Sequence, residues 1–365
     1  MPANQAKFEE SNISLLNSDL AQEVRKTAAA TEAQFAGAGK TPGLEVWRIE
    51  NFGVRKMSPE QYAAFYDGDS YIVLHTYMKG DKIANNVHFW LGQHTTQDEA
   101  GTAAYKTVEL DTVLGGLPIQ FREVQGSESD EFLKLFKPAF ITAQGGIDSA
   151  FHHQKPTEYK PRLMQVKGKR KNVAVMQVKL SRDSLNDGDV FILDNGLSIF
   201  QWNGTKAGVF EKRKANEVCS YIRDSRSSKP KVTVLDGTEK NDAFWNVIGG
   251  YGPVKSADEG GSDDAVSGTE KKLLRLSSAD GSLKLTEVAK GTLRKSMLTS
   301  DAVFLVDLAG TSLFVYVGKN ATHDGTKCFQ VANQYIQDAG LPFTIPVSRV
   351  VEGHSTAAFD QAFET

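Results

Sequence analysis

The stretch Thr95-Thr96-Gln97-Asp98-Glu99-Ala100-Gly101-Thr102-Ala103-Ala104-Tyr105-Lys106-Thr107-Val108-Glu109-Leu110-Asp111-Thr112-Val113-Leu114 reads as a helix. Thr96 and Glu99 stand at capping-box spacing, Asp98 and Glu99 place negative charge in the first turn, and no proline interrupts. At about 100° per residue, Ala103, Thr107, Leu110 and Leu114 share one face, while Gly101, Tyr105, Val108 and Thr112 share the opposite one. A surface helix needs one apolar stripe to dock on its own domain. A second stripe calls for a second partner. That partner is either more of the same fold, burying the helix on both sides, or another protein into which the helix inserts.

Strands surround this helix. Residues 44–49 alternate and predict a strand, 61–66 predict a short helix, and Asp67-Gly68-Asp69 predicts a turn from which a strand over 70–75 leaves. Residues 87–91 predict a strand ended by Gly92, 119–124 predict a further strand, and Gly145-Gly146 closes the domain near residue 150. The order then recurs. Asp187-Gly188-Asp189 precedes a strand over 190–193, a strand over 198–202 ends at Asn203-Gly204, and a helix is predicted over 209–224. It recurs again from Ser300-Asp301, with strands over 303–306 and 313–317, Gly318, and a helix over 324–337. Gly92, Gly204 and Gly318 lie 112 and 114 residues apart, a domain-sized period rather than a solenoid's. The chain therefore divides into an extension over 1–42, three copies of one α/β (α+β) domain at 43–150, 151–254 and 270–365, and a Gly/Ser/Asp-rich linker over 255–269 that is expected to be flexible. Within the extension, Leu15, Leu16, Leu20 and Val24 form a short helical pattern.

The three long helices differ. In the second copy Ala215, Val218, Cys219 and Ile222 form one apolar face, and in the third Cys328, Val331, Ala332 and Tyr335 do so, each against a polar back. The first copy alone lacks that polar back, which favours insertion into a partner over burial inside the repeated fold.

At 365 residues the chain is too long for one core. A net charge of −3 argues against a nucleic-acid partner. Two cysteines, Cys219 and Cys328, fit a reducing compartment and exclude a disulfide framework or a zinc cluster. No apolar run approaches membrane-spanning length, and the first residues lack a signal-peptide core, so a cytoplasmic protein is expected; a monomer when free is the further expectation.

Three stretches carry a family resemblance: Gly43-Leu44-Glu45-Val46-Trp47-Arg48-Ile49-Glu50-Asn51-Phe52, Phe65-Tyr66-Asp67-Gly68-Asp69-Ser70-Tyr71, and Gln97-Asp98-Glu99-Ala100-Gly101-Thr102-Ala103-Ala104-Tyr105. They resemble the first domain of the gelsolin superfamily, and the three-domain organisation looks like that of its severin and fragmin members. The resemblance implies a central mixed β-sheet between a long and a short helix in each domain. It also implies calcium-dependent severing of actin filaments and capping of their barbed ends, at the cytoskeleton and without enzymatic chemistry. Binding both actin monomer and filament, with the long helix of the first domain in a cleft of actin, would involve Ala104, Tyr105, Val108, Asp111 and Thr112. A capping protein that does not sever is the alternative.

Each copy sets an acidic turn before a strand and an acidic residue at the start of its long helix: Asp69 with Glu99, Asp189 with Glu211, and Asp301 with Asp324. Calcium takes six to eight oxygens, which carboxylates and carbonyls supply. By chemistry alone these are equally well turn and cap residues. The resemblance makes them calcium sites and adds the carbonyls of Gly68 and Gly188, that of Ile147 in the first copy, and one of Asp258, Asp263 or Asp264 in the second. The third copy departs from the pattern, with Asp324 in place of the usual Glu and Ser300 in place of the turn glycine. A further site is implied at Asp111 with the carbonyls of Gly116 and Pro118, where the ion is shared with an actin carboxylate.

Residues 155–171 carry seven Lys or Arg against one Glu. They read either as a solvated hairpin or, by resemblance, as a segment binding phosphoinositide lipids and the filament side through Lys160, Arg162, Lys167, Lys169, Arg170 and Lys171. A hydrolase built on His75, His88 or His94 is disfavoured, because no nucleophile-elbow glycine pattern occurs. A calcium buffer or lipid sensor indifferent to actin leaves the apolar back of the first helix unexplained.

Overall fold

The computed structural model describes residues 32–146, 161–169, 172–260, 270–279, 282–321 and 328–364. In chain order the strands and helices are β1 (Gly43–Glu50), β2 (Gly53–Lys56), β3 (Phe65–Tyr66), β4 (Ser70–Lys79), β5 (Lys82–Leu91), α1 (Gln97–Val113), β6 (Ile119–Val124), α2 (Asp130–Leu133) and β7 (Ile141–Ala143). The second copy supplies β8 (Arg162–Lys169), β9 (Asn172–Val178), β10 (Val190–Asn195), β11 (Ser198–Asn203), α3 (Val209–Ser225), β12 (Lys231–Asp236) and α4 (Asp242–Trp245). The third supplies β13 (Lys272–Ala279), β14 (Ser282–Lys290), β15 (Val303–Asp307), β16 (Leu313–Val317), α5 (Cys328–Asp338), β17 (Val347–Val351) and α6 (Ala357–Asp360). Residues 61–66, expected to be helical, are instead split. A 3-10 turn covers Pro59–Ala63, and β3 then pairs in parallel with β7. Phe65 at the start of β3 is drawn into a cluster with Phe132, Phe136 and Phe140.

These elements gather into two compact units. The first comprises residues 1–59, 68–128 and 266–365, so the first and third copies share it. Its sheet is continuous over ten strands, in the order β14-β13-β15-β16-β17-β6-β5-β4-β1-β2. The seam is β6 against β17, antiparallel, with Val347 opposite Arg122, Ser348 opposite Phe121 and Arg349 opposite Gln120. Three domains with three separate sheets are the expectation from the sequence. In this unit the edge strands of two copies satisfy each other's backbone groups instead. Strand alternation sends Trp47, Ile49, Ile72, Leu74, Val87 and Phe89 toward α1, where they meet Ala103 and Leu110. Residues 32–42 pack on this core: Phe35 is buried, its ring meets Trp47 edge-on at 5.3 Å, and Trp47 Nε1 donates to Gln34 O at 2.8 Å. The helical pattern of residues 15–24 lies outside the described residues.

On the opposite side of this sheet His88 is fully buried, stacked on Phe121 at 4.2 Å and 2.8 Å from Glu123. It is a core residue, as the disfavoured hydrolase reading would not have it. Beside it Glu128 accepts from Trp90 Nε1 at 2.9 Å and from Gly126 N at 3.1 Å. Burial pushes its carboxyl up from 4.5 to about 7, against these two donors. The folded state thus holds the proton more tightly than the unfolded chain. The stability contributed is complete below the unfolded value and lost as pH rises through about 7. Glu128→Gln should therefore be more stable than the wild type at pH 8, by up to roughly 3 kcal/mol, with the gap closing toward pH 5. Parallel pH profiles of thermal unfolding for the two proteins would refute this.

The second unit comprises residues 60–67 and 129–265. Its seven strands run β12-β11-β10-β8-β9-β7-β3. α3 covers one face through Ala215, Val218, Cys219 and Ile222, and on the other Phe191, Trp202, Phe244 and Trp245 pack together. The beginning of the expected flexible linker is ordered here. Asp187 N donates to Lys255 O, residues Asp258–Gly260 form a 3-10 turn, and Ser256 and Glu259 cap it reciprocally. Residues 261–269 lie outside the described residues.

Candidate functional site

The repeated glycine marks where each copy brings its turn against the following strand. A Cβ at Gly204 would lie 2.5 Å from Asp187 O, and one at Gly318 would collide with Ser300 O, so only glycine permits the approach. The same contact aligns the copies. Gly92 N donates to Asp69 O, Gly204 N to Asp189 O, and Gly318 N to Ala302 O. Ala302 therefore occupies the position of Asp69 and Asp189, which corrects the sequence pairing of Asp301 with them. Asp301 stands one residue earlier, exposed, accepting from Arg275 Nη2 at 3.2 Å. Asp324 lies outside the described residues.

In the first copy Asp69 is buried at the head of β4, after Gly68. Tyr71 Oη donates to its Oδ2 at 3.1 Å, and Arg48 Nη1 lies 3.6 Å from the same oxygen. Glu99 closes the capping box of α1, accepting from Thr96 N at 3.3 Å and from Thr95 Oγ1 at 3.2 Å. Thr95 in turn meets Ser70 Oγ at 2.8 Å, which ties the helix start to the residue after Asp69. Ile147 lies outside the described residues.

In the second copy Asp189 Oδ2 accepts from Gln165 Nε2 at 2.6 Å and Asn186 Nδ2 at 2.7 Å, with Lys167 Nζ at 3.6 Å. Glu211 spans two amides, accepting from Gly168 N at 2.9 Å and Gly208 N at 2.8 Å. Lys167 Nζ also donates to Gly260 O at 2.7 Å, and a Cβ on Gly188 would touch Ala257 at 3.0 Å. Asp258, next to Ala257, is thus brought over the turn at Gly188, while Asp263 and Asp264 lie outside the described residues. Among the described residues no three His, Cys, Asp or Glu side chains are assembled as a metal cluster. The donors of both copies are nonetheless oxygen only, two carboxylates beside turn carbonyls, which suits a hard cation. Both turn carboxylates have a basic side chain of the same copy beside them.

The α1 helix carries the third arrangement. Ala103, Thr107 and Leu110 are buried as the periodicity requires, and Gly101 turns inward with them. The outer stripe is Ala104, Tyr105 and Val108, half-buried, with Thr112 and Val113 exposed. At its end Asp111 is buried, with Arg349 Nη1 of β17 at 3.4 Å from Oδ2 and Oδ1 without a hydrogen-bond partner. Burial pushes the Asp111 carboxyl above the usual carboxylate range, while Arg349 and Gln120 pull it back. Gly116, whose amide donates to Asp111 O, and Pro118 form the loop after the helix. The Asp111 carboxyl is thus buried with one cationic neighbour, Arg349, and with Oδ1 as an acceptor that the fold leaves open.

The basic segment is only partly described: Lys160, Arg170 and Lys171 are outside the described residues, and Lys169 ends β8. Arg162 is engaged, donating to Asp194 Oδ2 at 3.1 Å beside Arg226. Sequence reading missed one feature of α3, whose back is not polar throughout. Val209 and Phe210 open it, 78% and 50% exposed, and their place in the first turn hid them from a count of the core face.

The gelsolin-repeat family profile matches residues 54–133 and 171–245. The chain is 39% identical to gelsolin-like protein 1 of Lumbricus terrestris over 365 residues, covering 99% of this chain and 97% of that one. It is 40% identical to gelsolin of Drosophila melanogaster over 344 residues, 91% of this chain and 43% of that one. It is 39% identical to villin-2 of Arabidopsis thaliana over 339 residues, 91% of this chain but 34% of that one.

Proposed function

The chain belongs to the gelsolin family, and from that premise we propose that it severs actin filaments and caps their barbed ends under the control of calcium. It acts by binding rather than by catalysis. The observation that carries the reading is Asp111 at the end of α1, one carboxylate oxygen unpartnered and the other beside Arg349. In this reading the outer stripe of α1, Tyr105, Val108 and Thr112, enters a cleft of actin, and calcium bridges Asp111 to an actin carboxylate. Arg349 holds the place of that ion in the resting protein. Because Arg349 belongs to β17, calcium at Asp111 competes with the seam that joins the first and third copies.

Calcium at Asp69–Glu99 and at Asp189–Glu211 works against internal cations in the same way, displacing the influence of Arg48 and Lys167. A dication near these side chains is repelled by them, so they raise the calcium concentration at which the protein responds. Ala302 leaves the third copy without its turn carboxylate, and calcium control rests on the first two. Phosphoinositides oppose actin binding through the basic segment that opens the second copy.

Pyrene-actin depolymerisation after dilution tests the proposal. Rapid loss of polymer on adding calcium is the expected result. Slowed depolymerisation with calcium would replace severing by capping alone, and traces unaffected by the protein would overturn the reading altogether.

A further inference from the structure

β6, β12 and β17 occupy the same place in the three copies. Each runs parallel to the strand before it, and Leu91, Asn203 and Val317, just ahead of the aligned glycines, pair with Val124, Asp236 and Val351. Counting back three residues makes Phe121, Thr233 and Ser348 equivalent. In the first unit Phe121 stands opposite Ser348 at the middle of the β6–β17 seam, with Gln120 opposite Arg349 and Arg122 opposite Val347 on either side. The seam is therefore symmetric about that one position, and the edge that these strands present is complementary to itself. β12 presents the same edge. Among the described residues it ends the sheet of the second unit, with β11 as its sole neighbour.

The backbone of β12 is aimed for pairing. Lys231 N donates to Leu197 O, ahead of β11, which turns residues 231, 233 and 235 toward β11 and leaves the amides and carbonyls of Val232 and Val234 facing outward. Nothing blunts the middle of the strand: Val232, Thr233 and Val234 are β-branched, and Val234 is 53% exposed. Charge lies only at the ends, with Lys229 and Lys231 at the start and Asp236 and Glu239 at the finish, all exposed. Asp236 accepts from Thr238 N and Oγ1 of its own turn, and none of the four is ion-paired among the described residues. An antiparallel second copy brings each basic end against an acidic one, whereas a parallel copy sets like charges together.

We propose that β12 is the interface of a two-fold dimer, in which the sheets of two second units join edge to edge in the register of the seam. Thr233 then faces its own equivalent across the axis, and Val232 of each copy faces Val234 of the other. The outward amides and carbonyls of these valines exchange backbone hydrogen bonds, and the exposed Val234 gains an apolar neighbour. An extended segment of another protein could add to the same edge. Only a second copy matches it in both register and end charge, as an isologous contact requires. The dimer departs from the monomer expected of the free chain, and it is independent of the calcium and actin readings.

The test is sedimentation equilibrium of the full-length protein, its Val234→Pro variant and two cysteine variants. The wild type should show a concentration-dependent monomer–dimer equilibrium. Val234→Pro removes an outward amide that β11 does not use, so it should keep the thermal midpoint while the dimer dissociation constant rises by about tenfold or more. Thr233→Cys should link two chains by a disulfide on mild oxidation, because opposed residues of a pair without backbone hydrogen bonds lie within reach of one. Lys231→Cys, two residues along the same face, should not. The native Cys219 and Cys328 are both buried and stay out of the reaction. A wild type that is monomeric at every concentration would overturn the proposal. A dimer indifferent to Val234→Pro, or equal linking through both cysteines, would place any interface elsewhere and overturn it too. Should Val234→Pro lower the thermal midpoint, the two cysteine variants decide alone.

Discussion

Replacing Arg122 by alanine should lower the unfolding free energy by about 3–5 kcal/mol, the largest single effect expected on the joined ten-stranded sheet. The guanidinium lies in β6, and its donors cross the seam. Nη1 reaches Asn333 Oδ1 at 2.6 Å, and Nη2 reaches Phe343 O at 2.9 Å and Ile345 O at 3.1 Å. Its plane also lies over the Phe343 ring at 4.6 Å. Burial lowers its pKa to about 10, with Glu123 acting the other way, so holding this charge in the core already opposes folding. That penalty is offset only while all three acceptors are in place. Alanine removes the charge but strands the buried acceptors Asn333 Oδ1 and Ile345 O and the part-buried Phe343 O, at roughly 1–3 kcal/mol for each buried acceptor left unpaired, and leaves a cavity. Urea unfolding compared with the wild type measures the cost. An unchanged midpoint would mean that the strand ladder alone holds the seam.

Arg349→Glu acts at the same seam with the opposite purpose. It should leave each copy folded but part β17 from β6, because a second carboxylate then faces Asp111 at a site where burial already disfavours the first. The variant should bind actin without added calcium, or need at least tenfold less of it. Tenfold corresponds to about 1.4 kcal/mol of bias toward the parted state. Small-angle scattering in chelator should show a larger radius of gyration than the wild type. A variant that is as compact and as calcium-dependent as the wild type would separate Asp111 from the control of actin binding.

Much of this was legible in the sequence for reasons of local physics. Alternation gave the strands, and the capping pair Thr96–Glu99 placed the start of α1. The spaced glycines marked a backbone approach that no other residue allows. What stayed hidden depends on pairing at a distance. Nothing in the period of β6 or β17 announces that two copies share a sheet, since an edge strand and a joined strand carry the same alternation. Asp301 misled by one residue, because an acidic turn looks the same whichever side of the strand's first hydrogen bond it falls on. The exposed pair on α3 escaped because helix-face counting looks for what is buried. Nothing in the sequence singles out Arg48 or Arg349, and Lys167 reads there as part of the basic segment; only the fold sets each beside an aspartate.

The seam between β6 and β17 has a cost that appears only when it opens. Closed, it pairs Gln120–Arg122 of β6 with Val347–Arg349 of β17, whose other edges are already laddered to β5 and β16. Parted, each becomes a short strand with one row of unpaired amides and carbonyls, rich in valine, isoleucine and phenylalanine and without proline. Such an edge is a template for pairing with another chain. If the seam opens on activation as proposed, a protein without a partner to occupy that edge should be prone to self-association, and the closed seam then protects solubility as well.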